Sequence, residues 1–306
     1  MTAPVDLTSW YPDGLQRMYD ATSLAPLLGC LRRYRLQVAL GHGGKSRALA
    51  WGIAFHAGIE AQDRALADGA GHDDALAKGL ADAHAHATWS EDDDADPDAL
   101  PRNRLGLARA LIWRQAELNE RGPDPVTFAR LPDGSPAIES RFVLPGGFYP
   151  DGRQWFLSGR FDGLVRFGGR LYVRDIKTTV SALTAWYWRR YAPNVQVALY
   201  DYAAAVLFGS QHDGVMIEAV QIGAGFARTE RKFIVTSAHM RTDLLAQIHD
   251  TAHRAFAAHN ARVWLPNYTA CQLCDFAQAC QQSPAVRERM LAAEMPARGA
   301  WKPTGE

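Results

Sequence analysis

Asp162, Asp175 and Lys177 are the residues whose types and spacing point most directly to chemistry. Asp175 and Lys177 stand two apart at the end of the apolar run RLYVRDIKTT, and Asp162 lies in the preceding run WFLSGRFDGLVRF. Between the runs, Gly168-Gly169 flanked by Phe167 and Arg170 is a two-residue hairpin signal. A tight turn there sets Asp162 opposite Asp175 and Arg160 opposite Lys177. The two-residue period of a strand then points Asp162, Asp175 and Lys177 from one face of the ribbon. Two carboxylates directly opposite repel each other. A hard cation reverses that sign, because Mg²⁺ or Mn²⁺ takes one or two carboxylates together with waters and substrate phosphate oxygens. A lysine ammonium beside such an ion can orient water or stabilise charge developing at phosphorus. An isolated D-x-K is more often an ion pair on a solvated strand face. Here the apolar strand and the aspartate supplied by its hairpin partner favour a site.

The four cysteines are the second chemical feature: Cys30 stands alone, and Cys271, Cys274 and Cys280 form C-x2-C-x5-C. The opening residues lack a basic segment followed by an apolar one, so a cytoplasmic location is expected, and there metal binding is a better use of thiols than two disulfides. Four thiolates suit zinc or an iron–sulphur cluster, and spacing does not choose between them. GHGGKS at 41–46 imitates a nucleotide-binding loop. The glycine required five residues before its G-K-S unit is Ala39, so the register excludes that reading.

The elements that must position these groups follow from periodicity and caps. Residues 20–40 predict an amphipathic helix with Thr22 or Ser23 as N-cap, and GHGGKS is a connector. Helices are expected at 47–68, 73–89 and 101–121, with the acidic run EDDDADPD at 91–98 as a solvated loop. Strands are expected at 137–144, 155–167 and 170–179, then a helix at 194–208 with Pro193 in its first turn. Strands at 214–222 and 231–236 precede a helix capped by Ser237 and running to about His259. The order predicts an α/β core with a helical insertion before it and a cysteine-rich end.

Composition narrows the class without choosing a partner. Hydrophobic residues make up 47% and charged residues 22%, with 33 basic against 33 acidic side chains. This is ordinary for a soluble globular protein, and no apolar run is long enough to span a membrane. A neutral balance leaves nucleic-acid binding to local clusters, of which Arg32, Arg33 and Arg35, and Arg189 and Arg190, are two.

Taken together, GRFDGLV, LYVRDIKTT, Gln196-x3-Tyr200 and the upstream Gly52-x3-His56-x3-Glu60 resemble the PD-(D/E)XK nucleases, specifically their RecB-like branch. The resemblance covers about residues 20–283 in the right order. It implies a restriction-endonuclease-like α/β fold, a mixed central sheet flanked by helices, with a cysteine-ligated cluster joining the two ends of the chain. It implies that His56, Asp162, Asp175 and the Ile176 carbonyl bind the metal, that Lys177 is the catalytic lysine, and that Gln196 and Tyr200 position it and the DNA. Glu60 is a further candidate, with neutralisation of Arg64 as the competing reading; Glu139 is considered and set aside. Helical spacing independently puts His56 with Glu60, and Gln196 with Tyr200, on shared faces, with Gly52 beside His56 to allow close backbone approach. Iron–sulphur members, CRISPR-associated and AddAB-type, place one cysteine before the core and three after it. The resemblance therefore implies a [4Fe–4S] cluster on Cys30, Cys271, Cys274 and Cys280, with zinc as the other occupant; Leu31 stands where many members have proline.

The expected organisation is a first segment at 1–46, a helical region carrying His56 at 47–122, a nuclease core at 123–265 and a cysteine-rich segment with tail at 266–306. The expected function is a Mg²⁺- or Mn²⁺-dependent deoxyribonuclease, an exonuclease on single-stranded DNA or DNA ends. Expected partners are DNA and a helicase, recombination or CRISPR adaptation protein, with no membrane. The alternatives are a non-catalytic DNA-binding or assembly module of the same fold, and an endonuclease in CRISPR spacer processing or phage recombination.

Overall fold

The computed structural model describes residues 10–303 apart from residue 12 and residues 44–45, 91–93 and 95–100. The chain forms two compact units that are discontinuous in sequence. One comprises Met1–Gly44, Arg141–Gly159 and Ser237–Glu306; the other comprises Lys45–Ser140 and Arg160–Thr236. Strands β3 (Ile138–Phe148) and β4 (Gln154–Phe167) contribute residues to both.

The first unit begins with β1 (Met18–Tyr19), which pairs in parallel with β4 through Met18↔Phe156 and Tyr19↔Leu157. The single helix expected over 20–40 is broken. Helix α1 (Ala21–Gly29) is capped by Asp20, not by Thr22 or Ser23: the Asp20 carboxylate accepts from Ser23 N at 2.8 Å, and the Ser23 hydroxyl accepts from Asp20 N at 2.9 Å. Cys30 then adopts an extended backbone, φ −164° and ψ 117°, before the short helix α2 (Leu31–Tyr34) and a π-turn over Arg35–Ala39. The unit closes with α8 (Ala238–Ala261), α9 (Ala277–Cys280) and α10 (Pro284–Glu294).

The second unit holds α3 (Arg47–Ala67), α4 (His72–Ala85), α5 (Arg104–Glu120), β2 (Thr127–Phe128), β5 (Arg170–Thr179), α6 (Ala185–Trp188), α7 (Val195–Phe208), β6 (His212–Ile222) and β7 (Ala227–Ile234). Its sheet is mixed: β4 pairs antiparallel with β5, β5 parallel with β6, and β6 antiparallel with β7. Helices α3, α4 and α5 cover one face, where Trp51, Phe55, Ile59, Leu107 and Leu111 pack with Ile176, Val220 and Ile222. Helix α7 packs on β5 and β6. Ile176 points toward α3, so its neighbours Asp175 and Lys177 point the other way, toward α7. This is the α/β arrangement expected, a mixed sheet flanked by helices.

Two further details differ from expectation. Pro193 precedes helix α7 instead of entering it, and Asn194 is the cap, its side chain accepting from Gln196 N at 2.9 Å and Val197 N at 3.2 Å. The acidic run at 91–98 lies outside the described residues except for Asp94. Its carboxylate accepts from Trp89 Nε1 at 2.7 Å and from Arg104 N at 3.0 Å, so at that position the charge is bonded and not merely solvated.

Candidate active site

The hairpin around Gly168-Gly169 has the expected register, from Phe167↔Arg170 through Gly163↔Arg174. The recorded ladder ends one residue before Asp162 and Asp175. Beyond that point the strands serve different partners. Asp162 Oδ2 accepts from the backbone N of Ile176 at 2.7 Å and stands 3.5 Å from His56 Nδ1 of α3. Asp175 turns to α7, where Gln196 Nε2 donates to its Oδ1 at 3.2 Å. The two carboxylates therefore meet at the place where β4 and β5 stop pairing, and they do not form a simple cross-strand pair.

Lys177 Nζ lies 2.9 Å from the Asp175 carboxylate, and the lysine side chain is 26% exposed against 2% for the aspartate. Burial lowers the Lys177 pKa, but the negative charges of Asp175 and Asp162 outweigh burial and hold it above the usual value. The ammonium is therefore protonated at neutral pH. Asp175 is pushed up to about 6, by burial first, with Lys177 pulling it down and Asp162 pushing it up. Its Oδ2 is buried and makes no well-directed hydrogen bond among the described residues, although the ammonium is close. A buried carboxylate oxygen with weak satisfaction beside a second carboxylate is an environment that a cation would stabilise.

His56 adds a neutral nitrogen to this set. Burial lowers its pKa, against the pull of Asp162, and its ring hydrogen-bonds to the Ile176 backbone. At neutral pH it can offer a lone pair. Gln196 Nε2 also reaches Tyr200 Oη at 3.3 Å, and Tyr200 Oη donates to the Arg160 carbonyl at 2.8 Å, so α7 ties Asp175 to β4. Phe161 packs edge-on against the Tyr200 ring at 5.4 Å and fixes it from the same strand.

The structure thus brings together His56, Asp162, Asp175, the Ile176 backbone, Lys177, Gln196 and Tyr200. By donor type, two carboxylates, an imidazole and a backbone group fit a hard divalent cation. Their spacing is not that of a preformed site, since among the described residues no three His, Cys, Asp or Glu side chains converge at metal-holding distance. Glu60 is bound one turn on by Arg64, whose Nε and Nη2 reach its Oε1 at 3.1 and 3.0 Å. The ion pair weighed against a site role is therefore present. Gly52 has no tight neighbour: an added Cβ would meet Thr178 Oγ1 at 3.8 Å, an ordinary contact.

Three residues beside the site were not picked out from sequence. Glu139 is held by Arg160 at 2.5 Å, and its backbone has φ 53°, rare for a residue with a side chain. Burial and the charges of Asp162 and Glu60 push it up to about 7, against Arg160. A lone glutamate starting an apolar strand was the available signal. Tyr187 in α6 and Tyr191 in the turn after it share a hydroxyl–hydroxyl hydrogen bond of 2.9 Å; Tyr187 feels the charge of Lys177, and Tyr191 that of Asp175. A cavity of about 690 Å³ in the same unit lies around Arg174, on the opposite face of β5. The charges at its base are already paired, Arg174 with Asp63 and Glu218, and Arg231 with Asp124 and Glu218.

In the first unit, the four cysteines are free thiols and partly buried. Cys30 Sγ accepts from Asn267 N at 3.2 Å, which the extended backbone at Cys30 permits, and Cys271 Sγ approaches the Asn267 carbonyl at 3.6 Å. Cys274 and Cys280 pack with Leu36, Phe276 and Leu291. Burial raises the Cys280 thiol; Arg32 and Arg287 oppose this, while Cys274 and Cys30 are near enough to add to it. The donor set suits a soft metal or cluster, but here too no three ligands stand at metal-holding distance among the described residues.

No curated protein matches the chain by sequence. Among solved structures it is similar to SSO0001, with 15% identity over 88% of this chain and 86% of that one and a TM-score of 0.34. It is also similar to a "putative exonuclease" from Eubacterium rectale, with 11% identity over 86% and 87% and a TM-score of 0.47. Neither likeness is close enough to carry an argument. The sequence profile of the PD-(D/E)XK nuclease superfamily, in contrast, matches residues 21–281, which takes in every element around Asp162, Asp175 and Lys177. With nearly the whole chain matched, this protein belongs to the PD-(D/E)XK nuclease superfamily.

Proposed function

We propose that this protein is a metal-dependent deoxyribonuclease of the RecB-like branch, acting as an exonuclease on single-stranded DNA or DNA ends. The observation that carries this reading is the protonated Lys177 ammonium 2.9 Å from Asp175, with Asp162 and His56 gathered at the Ile176 backbone. His56, Asp162, Asp175 and the Ile176 carbonyl would hold Mg²⁺ or Mn²⁺. Such an ion, when bound, neutralises charge on the phosphoryl oxygens and makes water a better nucleophile at neutral pH. Lys177 orients the attacking water or a non-bridging oxygen and offsets charge as the phosphodiester reacts. Gln196 and Tyr200 hold Asp175 in place through the bonds that join α7 to β5 and β4. DNA is the substrate the family membership suggests, and a helicase, recombination or CRISPR adaptation protein is the partner that would deliver it.

The same reading includes a [4Fe–4S] cluster on Cys30, Cys271, Cys274 and Cys280, with zinc as the other occupant. Its support is the nearness of both Cys274 and Cys30 to Cys280 and the contact of Cys30 and Cys271 with one residue, Asn267. The test of the nuclease is cleavage of end-labelled linear and circular DNA, single- and double-stranded, with Mg²⁺ or Mn²⁺. Asp175→Ala and Lys177→Ala should each lower the rate by about 10²-fold or more while the fold is kept. Cleavage at the wild-type rate in either variant would sink the assignment.

A further inference from the structure

Helix α6 and the turn after it carry Trp186, Tyr187, Trp188 and Tyr191, four aromatic side chains in a span of six residues. Three of them build a rigid base. Tyr187 packs edge-on against Trp188 at 5.2 Å and against Tyr191 at 5.6 Å, Trp188 and Tyr191 lie 6.1 Å apart, and all three are buried. Trp186 is left out of that cluster and is 71% exposed. Its ring has the Arg190 guanidinium 5.9 Å from its centroid, and the same guanidinium lies 4.6 Å over Tyr187. A continuous series therefore runs from the exposed indole through Arg190 and Tyr187 to Lys177, whose charge reaches Tyr187.

The charge along this segment has one sign. Between Lys177 and Asp201 the chain carries Arg189 and Arg190 and no carboxylate, although acidic and basic residues are equal in number over the whole sequence. Both arginines are exposed. An exposed tryptophan on a stiff aromatic base, flanked by unopposed cations beside a phosphodiester-cleaving centre, has the chemistry of a stacking platform for unpaired bases. Stacking tolerates any base, while cations follow the phosphates. A duplex hides its base faces and could use only the cations.

We propose that Trp186 stacks on an unpaired base of the substrate strand while Arg190 and Arg189 engage its phosphates, making single-stranded nucleic acid the preferred ligand of this site. The proposal rests on the nuclease reading and names the residues that set the choice between the single strands and duplex ends that reading allows. Trp186 and Arg190 are binding residues in it and take no part in bond breaking.

The experiment measures binding of the full chain, in a Lys177→Ala background with Mg²⁺, to a single-stranded oligodeoxynucleotide carrying 2-aminopurine and to the matching blunt duplex. Trp186→Ala should weaken single-strand binding by about fivefold to 150-fold, the range for loss of one stacked base, and should abolish quenching of the 2-aminopurine. Trp186→Phe, which keeps an aromatic face, should retain most of the affinity, and duplex binding should change little in either variant. Arg190→Gln should reduce the steepness of the log affinity against log salt plot by about 0.7, the value for one single-strand phosphate contact. With Lys177 restored, Trp186→Ala should raise KM on single strands and leave kcat unchanged. Unchanged single-strand affinity and quenching in Trp186→Ala, or equal losses for duplex and single strand, would overturn the platform. In that case cleavage by the wild type would leave the nuclease reading intact. A wild type that neither cleaves nor binds DNA would remove the reading beneath it.

Discussion

At the scale of single residues, the site depends on charges held where water would otherwise relieve them. Asp175 is 1% exposed and shares its environment with Asp162 and Lys177, so its ionisation is governed by neighbours as much as by its own acidity. Glu139 makes a separate prediction. Burial pushes its carboxyl up to about 7 from 4.5, so the folded state binds its proton more tightly than the unfolded state does. Stability from this group therefore falls as pH rises from about 4.5 to about 7, and above that the buried charge is a net cost. Glu139→Gln should raise stability by about 1–2 kcal/mol near pH 8, after allowing for the lost Arg160 pair, and change little near pH 5. Chemical denaturation at the two pH values checks it. A stability gain of the same size at both would show that repacking is responsible and not the charge.

Among elements, two contacts hold the frame that carries the site. Helices α3 and α4 cross where Gly58 faces Gly79, and a Cβ at Gly58 would meet the Gly79 carbonyl oxygen at 2.8 Å and the Ala83 Cβ and Leu111 Cδ1 at 2.9 Å. Alanine gains about 1 kcal/mol of helix propensity over glycine. The overlap costs more, so Gly58→Ala should lose a net 1–3 kcal/mol by urea denaturation, roughly the cost of overpacking. Because His56 lies on the same helix, the variant should also lower activity. Strand β6 contributes Glu218, which is fully buried and held by Arg114 at 2.5 Å, Arg231 at 2.8 Å and Arg174 at 3.1 Å. Burial raises its pKa, but these three guanidiniums outweigh burial and keep it well below the usual value. Its contribution is thus present above its ordinary value of 4.5 and lost as pH falls toward the depressed one. Glu218→Gln strands the guanidiniums and should cost about 3–5 kcal/mol near pH 7, with the difference from wild type shrinking below about pH 4.

On the scale of the whole molecule, each compact unit is assembled from separated stretches of chain, and each holds one of the two candidate centres. In the first unit, residues near Cys30 and those near Cys271–Cys280 come together although most of the sequence lies between them. A ligated cluster there would close a very long loop, and loop-closure entropy grows only with the logarithm of its length, so the constraint on the unfolded chain would be large but not extreme. Protein purified without oxygen should contain iron and labile sulphide near four of each per chain. Cys280→Ser should lose both and lower Tm. Zinc in place of iron would replace the cluster and leave the nuclease standing. Among the described residues, no helix is long and apolar enough to cross a membrane.

The sequence alone was enough for the hairpin and its register, because Gly168-Gly169 leaves few turns that a strand pair can adopt and side-chain period does the rest. It was also enough for the superfamily, since the D-x-K strand, the upstream aspartate and the helix with Gln196 and Tyr200 occur in a fixed order. Helix boundaries around Cys30 and Pro193 were less legible, because the choice of cap depends on which backbone N–H a side chain actually reaches. Only the tertiary structure decided that pairing stops before Asp162 and Asp175, that Asp162 turns to Ile176 and His56, and that Glu60 is engaged by Arg64. Only the tertiary structure, too, brought Glu139, Tyr187 and Tyr191 to the site. These outcomes depend on contacts between residues far apart in the chain, where burial and neighbouring charge set each group's state, and no local pattern encodes them. The trio of Asp162, Asp175 and Lys177 was visible in its residue types and spacing; its geometry was not.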